Sequence, residues 1–468
     1  MLPAFAELVN RFQILEKENE RLREENQALR AENKLLREGS ERKGGPPPWV
    51  KPNVALANKK AKEKAQKARK KRTQSYTRKR EEPTNIVVHA CERCPDCGRA
   101  LSGGWKHARR QVIDIPQTPV CVTDHVVIAR QCGVCNTRCL PKLDLSGLVV
   151  GKHRLGVRLM GLIGMLRSTC RLPVRTIRSL LKSLYGLCVS TGEIVNVLHL
   201  IAQRGQPYLQ DLQQQMRTSP YLHADETGWR EDGQNGYLWS FSTPEIRLFQ
   251  YDRSRAGHVP REVIGASYQG HVVTDFYGGY NSVSGINQRC WVHLLRDLDK
   301  LKEAHPDNQS VIDWVQSVRD LYREAKKYQK ECLGARKLSC PPDGFNIFNR
   351  RDKRREFESR LAWIAAPYLD QKKMKEKAPQ AVLAERIERY APELFCFAEH
   401  PDVPSENNAA ERAIRPSVIA RKISGGTRSA KGSKTYAAIA SMFGTWQVND
   451  RNPWEACLHM LTYQPSAP

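Results

Sequence analysis

Tyr221–Asp225 (YLHAD), Gly236–Ser242 (GYLWSFS), Ile246–Asp252 (IRLFQYD) and His271–Asp275 (HVVTD) are four apolar-rich runs of strand length. Short polar turns link the first three, and a polar stretch with helical character leads to the fourth. Strand, strand, strand, helix, strand is the order of a mixed sheet. The first and fourth runs end on an acid, Asp225 and Asp275. A third acid, Glu411, opens a helical stretch much later, in ENNAAERAIR.

This order describes the first half of a ribonuclease-H-like α/β core. In that architecture acids at the ends of the first and fourth strands are neighbours, and one from a late helix completes a carboxylate cluster. Carboxylates suit Mg2+ or Mn2+, hard ions that take one or two protein oxygens and keep several waters. Two such ions would activate a nucleophile and stabilise the leaving oxygen of a phosphodiester. Asp225, Asp275 and Glu411 are therefore the candidate catalytic and metal-binding residues. Glu226 competes with Asp225, and Glu406 with Glu411. Singly, each is also explained as a strand terminator, a turn cap or a helix-surface acid paired with Arg415.

The chain has 468 residues and a net charge of +26, enough length for one full core and several accessory modules. The excess charge is concentrated. Lys59 to Arg80 holds twelve Lys or Arg against one acid, Glu63, a density suited to neutralising DNA phosphates, although solvated tails and linkers share it. The run lacks the large apolar residues an inserting segment needs. No apolar stretch approaches the length of a membrane span, and no leader-like segment opens the sequence. The expectation is a cytoplasmic, nucleoid-associated bacterial protein with no membrane partner.

Upstream of the sheet, Leu8, Leu15, Leu22, Leu29 and Leu36 recur every seven residues, with Phe12, Asn19, Asn26 and Asn33 at the other seam position. This is a leucine-zipper coiled coil over residues 1–40, and its seam asparagines favour a specific parallel pair. Residues 41–85 form a Pro/Gly linker and the basic arm. Residues 86–145 carry Cys94-x2-Cys97 and Cys132-x2-Cys135, separated by 34 residues. That spacing suits two turns closing a tetrahedral thiolate site for structural Zn2+ in a zinc-ribbon-like module. Cys91, Cys139, His89 and His107 are spare ligands. Residues 150–210 read as helices, broken near Gly186 and capped at Ser190 with Glu193 three residues on, in a helix-turn-helix-like arrangement. Packing against the core explains the same pattern.

Residues 215–295 would hold the first part of the core and 401–465 its C-terminal part. The 135 residues between Asp275 and Glu411 exceed what the sheet needs, so a mostly helical insertion is expected over 296–400. After Glu411 comes a glycine-rich basic loop whose glycines would allow close approach to a phosphate, then an Ala-rich helix.

Taken together, these motifs resemble those of the DDE transposases of the insertion-sequence-66 family, in family order and over nearly the whole chain. They are the zipper, the CxxC...CxxC module, the helical segment, Asp225 in ADET, Asp275 in TDFYGGYN, the Cys290-Trp291-x-His293 box and Glu411 in NNAAERAIRP. The resemblance implies that Asp225, Asp275 and Glu411 are the metal-binding triad. It places Asn407, Asn408, Arg412 and Arg415 in the box around the glutamate and makes Arg421 and Lys422 the basic pair that follows. Gly228 and Trp229 after ADET depart from the Pro-containing form of many members. The implied function is a transposase that binds the inverted-repeat ends of an insertion sequence and carries out metal-dependent strand cleavage and transfer by 3'-hydroxyl attack. Its partners would be double-stranded DNA at the element ends and the target, a homodimer or higher oligomer, and accessory proteins of the same element. Two alternatives keep the same acids or modules: a ribonuclease-H-like nuclease without joining activity, and a catalytically silent DNA-binding regulator.

Overall fold

The computed structural model describes residues 82–107, 109–113, 120–335, 347–369 and 378–463. The coiled coil expected over 1–40 and the basic arm to residue 81 lie outside these. The chain divides into two units, Met1–Ile115 and Pro116–Pro468.

In the first unit the described residues form no helix or strand, and the first cysteine pair sits in a tight turn. Cys94 N–H donates to the Arg99 carbonyl and Gly98 N–H to the Cys94 carbonyl, both at 2.9 Å, with Gly98 at φ 72°. The second unit opens with a short hairpin, β1 (Arg130–Gln131) and β2 (Arg138–Cys139). Between them the same turn recurs: Cys132 N–H to the Thr137 carbonyl and Asn136 N–H to the Cys132 carbonyl, with Asn136 at φ 55°. Glycine and asparagine are the residues that take this left-handed conformation most readily.

Helices follow: α1 (Val157–Ser168), α2 (Val174–Tyr185), α3 (Thr191–Arg204) and α4 (Gln206–Arg217). Gly186, at φ 65°, ends α2, and Ser190 with Glu193 forms a reciprocal capping box that starts α3. Buried Ile194, Val197, Leu198 and Ile201 seat α3 in a core shared with α1, α2 and the C-terminal helices. Of the pair α2–α3, it is the first helix that faces outward: Arg175, Arg178 and Lys182 are exposed. The second helix of the helix-turn-helix-like pattern is mostly spent on packing, because its apolar stripe is wide.

The sheet comprises β3 (Tyr221–Glu231), β4 (Gln234–Ser242), β5 (Arg247–Asp252), β6 (His271–Thr274) and β7 (Ile286–Arg289). Its order is β5-β4-β3-β6-β7. The first three strands form an antiparallel meander, with Glu231 opposite Gln234 across the two-residue turn Asp232-Gly233. Both turn residues have positive φ, 48° and 78°, which matches the twist of a tight hairpin. The chain crosses through α5 (His258–Ile264), and β6 and β7 then add in parallel.

Alternation along the strands divides the sheet faces. Leu222, Ala224, Trp239, Phe241 and Leu248 pack on one face with α4 and α5 residues such as Leu212 and Val263. Trp229, Leu238, Phe249 and Tyr251 pack on the other with Ile414 and Tyr436. The latter come from α11 (Asn408–Ser424) and α12 (Ala430–Val448). Between β7 and α11 the described chain is helical: α6 (Trp291–Ala304), α7 (Gln309–Ala335), α8 (Ile347–Ala365), α9 (Ala381–Leu394) and α10 (Cys396–Glu399). These helices have an aromatic-rich core of their own, with Trp291, Trp314, Phe357, Phe395 and Phe397. A final helix, α13 (Pro453–Thr462), packs on α1. The exposed edge of β5 is closed in an unusual way. Arg247 N–H donates to Thr445 Oγ1 (3.0 Å), Phe249 N–H to Ser441 Oγ (2.7 Å), and Thr445 Oγ1 to the Arg247 carbonyl (3.0 Å). Two hydroxyls one helical turn apart on α12 stand in for a sixth strand.

Candidate active site

The parallel register of β3 on β6 pairs Tyr221 with His271, Leu222 with Val272 and His223 with Val273. Continued two residues, it sets Asp225 abreast of Asp275, just past the carboxyl end of β6. Strand β3 does not stop at Asp225, as its apolar run suggests, but continues to Glu231, because Glu226–Glu231 pair with Gln234–Trp239 of β4. Parity then separates the two adjacent acids of β3, since successive side chains point to opposite faces. Asp225 shares its face with His223 and Thr227, beneath α11. Glu226 points to the other face, where Arg255 forks onto its Oε1 (2.7 and 3.0 Å) and the Tyr280 hydroxyl donates to its Oε2. Its side chain is 3% exposed. Both of its oxygens are thus engaged.

Helix α11 is fastened across the Asp225 face at both ends. At its start, the Asn407 amide donates to the Ala224 carbonyl (2.8 Å), and its Oδ1 accepts from His223 Nδ1 (2.9 Å). Asn407 N–H also reaches Cys290 Sγ at 3.1 Å. Further along, the Arg421 guanidinium donates to Thr227 Oγ1 (3.1 Å) and to the Gly228 carbonyl. Glu411 lies between these anchors, half-buried, in the first turn of the helix. There the unpaired N–H groups favour a negative side chain. Its Oε1 meets Arg296 Nη2 at 3.2 Å and His293 Nε2 at 3.8 Å, both from α6. Glu406 faces elsewhere: its charge acts on Tyr322 and Lys326 of α7.

Asp275 is held from behind. Its Oδ1 accepts the Tyr277 N–H (2.9 Å), and its carbonyl accepts from Arg289 Nη1 (2.9 Å). Arg289, fully buried, also binds Thr274 Oγ1 and Asn281 Oδ1 and pairs with Glu393. Removing a charge from water requires such complete pairing.

The three acids feel one another. Burial first, then the charges of Glu226 and Asp275 and, least, that of Glu411 together raise the Asp225 carboxyl to about 7, with the Glu226 N–H opposing them. A carboxyl held at that value by burial and like charges marks a place where negative charge exceeds its compensation. Among the described residues, no three His, Cys, Asp or Glu side chains are gathered closely enough to hold a metal. Repulsion among the acids and the pull of Arg296 on Glu411 both work against closer approach. The donor set itself, all carboxylate oxygen and under-compensated, fits a hard divalent cation. The cysteine turns are suited to a softer ion. Hydrogen bonds from the Cys97 and Asp96 backbone hold the Cys94 thiol low. The Thr137 hydroxyl, 3.2 Å from Cys135 Sγ, leads those that bring the Cys135 thiol to about 7.

Arg255 and Arg289 carry no motif that would single them out in the sequence, and Tyr280 lies within TDFYGGYN without being singled out by it. They are recognised only by what they touch. The glycine-rich loop also has a structural use. Thr427 N–H bonds the Arg230 carbonyl (2.9 Å) and Asp232 N–H bonds the Thr427 carbonyl (2.8 Å). A side chain on Gly426 (φ 99°) would collide with that same Arg230 carbonyl. The glycine lets the loop dock on the end of β3.

Comparison with known proteins agrees with this architecture. The model of the transposase IS66 family matches residues 152–435, more than half of the chain. The protein belongs to this family. It is similar to two uncharacterized proteins of Sinorhizobium fredii, y4jO (33% identical over 165 residues, 34% of this chain and 43% of that protein) and y4qI (24% over 250 residues, 48% and 43%). The chain spans under half the length of these curated relatives. Among the described residues no helix is long and apolar enough to cross a membrane.

Proposed function

We propose that the protein is a DNA transposase that cleaves the ends of its own insertion sequence and joins them to target DNA. Asp225, Asp275 and Glu411 are its catalytic, metal-binding acids. The observation that carries this reading is the fastening of α11 by Asn407 and Arg421, which sets a glutamate from late in the chain on the Asp225 face of β3. The sheet order, with the first strand central between an antiparallel and a parallel neighbour, supports a ribonuclease-H-like core.

Bound by the three acids, Mg2+ or Mn2+ would supply Lewis-acid activation of the attacking oxygen and stabilise the leaving one. The chain's own groups do the rest. Arg289 and the Tyr277 N–H fix the Asp275 carboxylate in place. Arg255 and Tyr280 retain Glu226 on the far face, so Asp225 alone of the pair presents its oxygens to the site. Arg296, half-exposed beside Glu411, is positioned to contact a phosphate oxygen. In the joining step the 3'-oxygen forms a bond to the target phosphorus, the bond from that phosphorus to its own 3'-oxygen breaks, and the hydroxyl proton leaves to base. No energy cofactor is needed, because one phosphodiester replaces another.

Cys94, Cys97, Cys132 and Cys135 are assigned to structural zinc. Their spacing and the identical hydrogen bonding of the two turns support this. Element-end and target DNA are the substrates. The outward basic face of α2 and the arm before residue 81 are the assigned contacts, and the zipper is the means of pairing chains. The decisive experiment is strand transfer by the purified protein on a labelled duplex carrying the element's end, with Mg2+, Mn2+ or EDTA, beside Glu411→Gln. Metal-dependent joined product that is lost in the variant is the expected result. Cleavage without joining would make the protein a nuclease, and binding alone a regulator.

A further inference from the structure

Between β5, α11, α12 and the end of α1 lies a cavity of about 370 Å3, lined by Arg247, Arg412, Ser168, Ser417 and Gln447 among others. Two arginines share it without an acid between them. Arg412 follows Glu411 directly on α11, is exposed, and its guanidinium has no hydrogen-bond or carboxylate partner among the described residues. Arg247 reaches in from the sheet edge and is half-buried. Only its Nη1 is engaged, by the Thr243 and Ile246 carbonyls. Gly444 on α12 lies against its Cβ and Cγ, where any side chain would crowd it. Burial and then the charge of Arg412 lower the Arg247 guanidinium below its usual value, with Glu245 offsetting them only in part. Two cations facing one concave space repel each other and are costly to hold there unless an anion occupies it.

We infer that Arg247 and Arg412 form a phosphate-binding subsite that grips a DNA backbone phosphate beside the three acids. The inference rests on the transposase reading for its ligand, and on the cavity and its two arginines, neither of them paired with an acid, for its place. Arginine suits the task because its planar fork binds phosphate oxygens in pairs. Consecutive residues of a helix point about 100° apart, so a phosphate held here lies on the β5 side of α11 while Glu411 faces α6.

The test is the salt dependence of binding of a fluorescently labelled duplex to the full-length protein in metal-free buffer. It compares wild type with Arg412→Ala, Arg412→Lys, Arg247→Gln and the double variant, each checked for wild-type melting. Each loss of charge is expected to weaken binding roughly tenfold at low salt and to reduce the slope of log K against log [salt] by about one. Arg412→Lys should keep the slope while losing part of the affinity. If Arg247→Gln fails to fold, the two Arg412 variants decide alone. Unchanged slopes in folded variants overturn the subsite, whatever the wild type catalyses. Reduced slopes with a wild type that neither cleaves nor joins would uphold the subsite and remove the transposase reading of the acids. A wild type that binds no duplex overturns both.

Discussion

Where Asp225, midway along β3, meets the carboxyl end of β6, negative charge is left unbalanced, whereas at the amino end of β6 a buried acid is paired with two arginines. Asp225 faces Asp275 and Glu411 and is held protonated up to about 7. At the other end of β6, Glu399 is 6% exposed and paired with Arg354 (3.0 Å) and Arg351 (3.4 Å). Burial would raise its carboxyl, but the Arg354 hydrogen bond and charge bring it below the ordinary range. There too, His271 is kept neutral, at about 4, by burial and then by His400, whose ring lies 4.4 Å away. One end of the sheet is built for stability. The other carries a repulsion that a cation or a substrate must relieve.

The comparison breaks most visibly at the acids. Asp275→Asn and Asp225→Asn should each lower metal-dependent cleavage and joining by roughly a thousandfold or more, with duplex binding within twofold of wild type. Loss of binding as well would show that the acids hold the fold. Next in size, Asn407→Ala leaves α11 without its tie to His223 and Ala224. An unmet buried carbonyl and a shifted Glu411 should cost about 2 kcal/mol of stability and roughly a hundredfold in activity. Calorimetry and strand transfer read the two separately.

Opposite pH responses sharpen the contrast. A carboxyl raised in the folded state binds more protons folded than unfolded, so the metal-free protein loses stability at Asp225 as pH rises from about 4 to about 7. Asp225→Asn should therefore stabilise the metal-free protein at pH 8 by on the order of 2 kcal/mol, and hardly at all at pH 4. Glu399, lowered in the folded state, contributes above its unfolded pKa and loses that contribution as the pH falls through its folded one. Glu399→Gln should cost roughly 2 kcal/mol at pH 8 and progressively less in acid. Melting curves of both variants across this range would show the two trends diverging as the pH rises, and parallel trends would refute the contrast. The smallest effect is expected from Arg255→Ala. Removing this partner of Glu226 should cost about 1 kcal/mol and change cleavage less than about threefold, because the parity of β3 keeps Glu226 on the far face.

Much of this was legible before any coordinates. The apolar runs at 221, 236, 246 and 271 announce strands because each buries one or both faces. β7 does not, since INQR looks like a polar connection. Its Gln288 and Arg289 are wholly buried and satisfied by the Leu394 carbonyl, Thr274, Asn281 and Glu393, partners no local pattern reveals. The sequence left Glu226 beside Asp225 and Glu406 beside Glu411. The parity of β3 and the direction of α7 separate each pair, and both are tertiary facts. Asn407 stands in a recognisable motif, but its work as a clamp on β3 is visible only across 183 residues of chain.

The hydroxyls of Ser441 and Thr445 that finish the edge of β5 reach their partners 192 and 198 residues after them in the chain. At a synthesis rate of about 5–20 residues per second, that interval lasts roughly 10–40 seconds. Throughout it a nascent chain presents an open strand edge, the kind of surface on which other chains nucleate. The same last helices bring Glu411, so the acid cluster too is unassembled while the chain is still being made. Closing the sheet and completing the acid cluster become one late event in the life of each molecule.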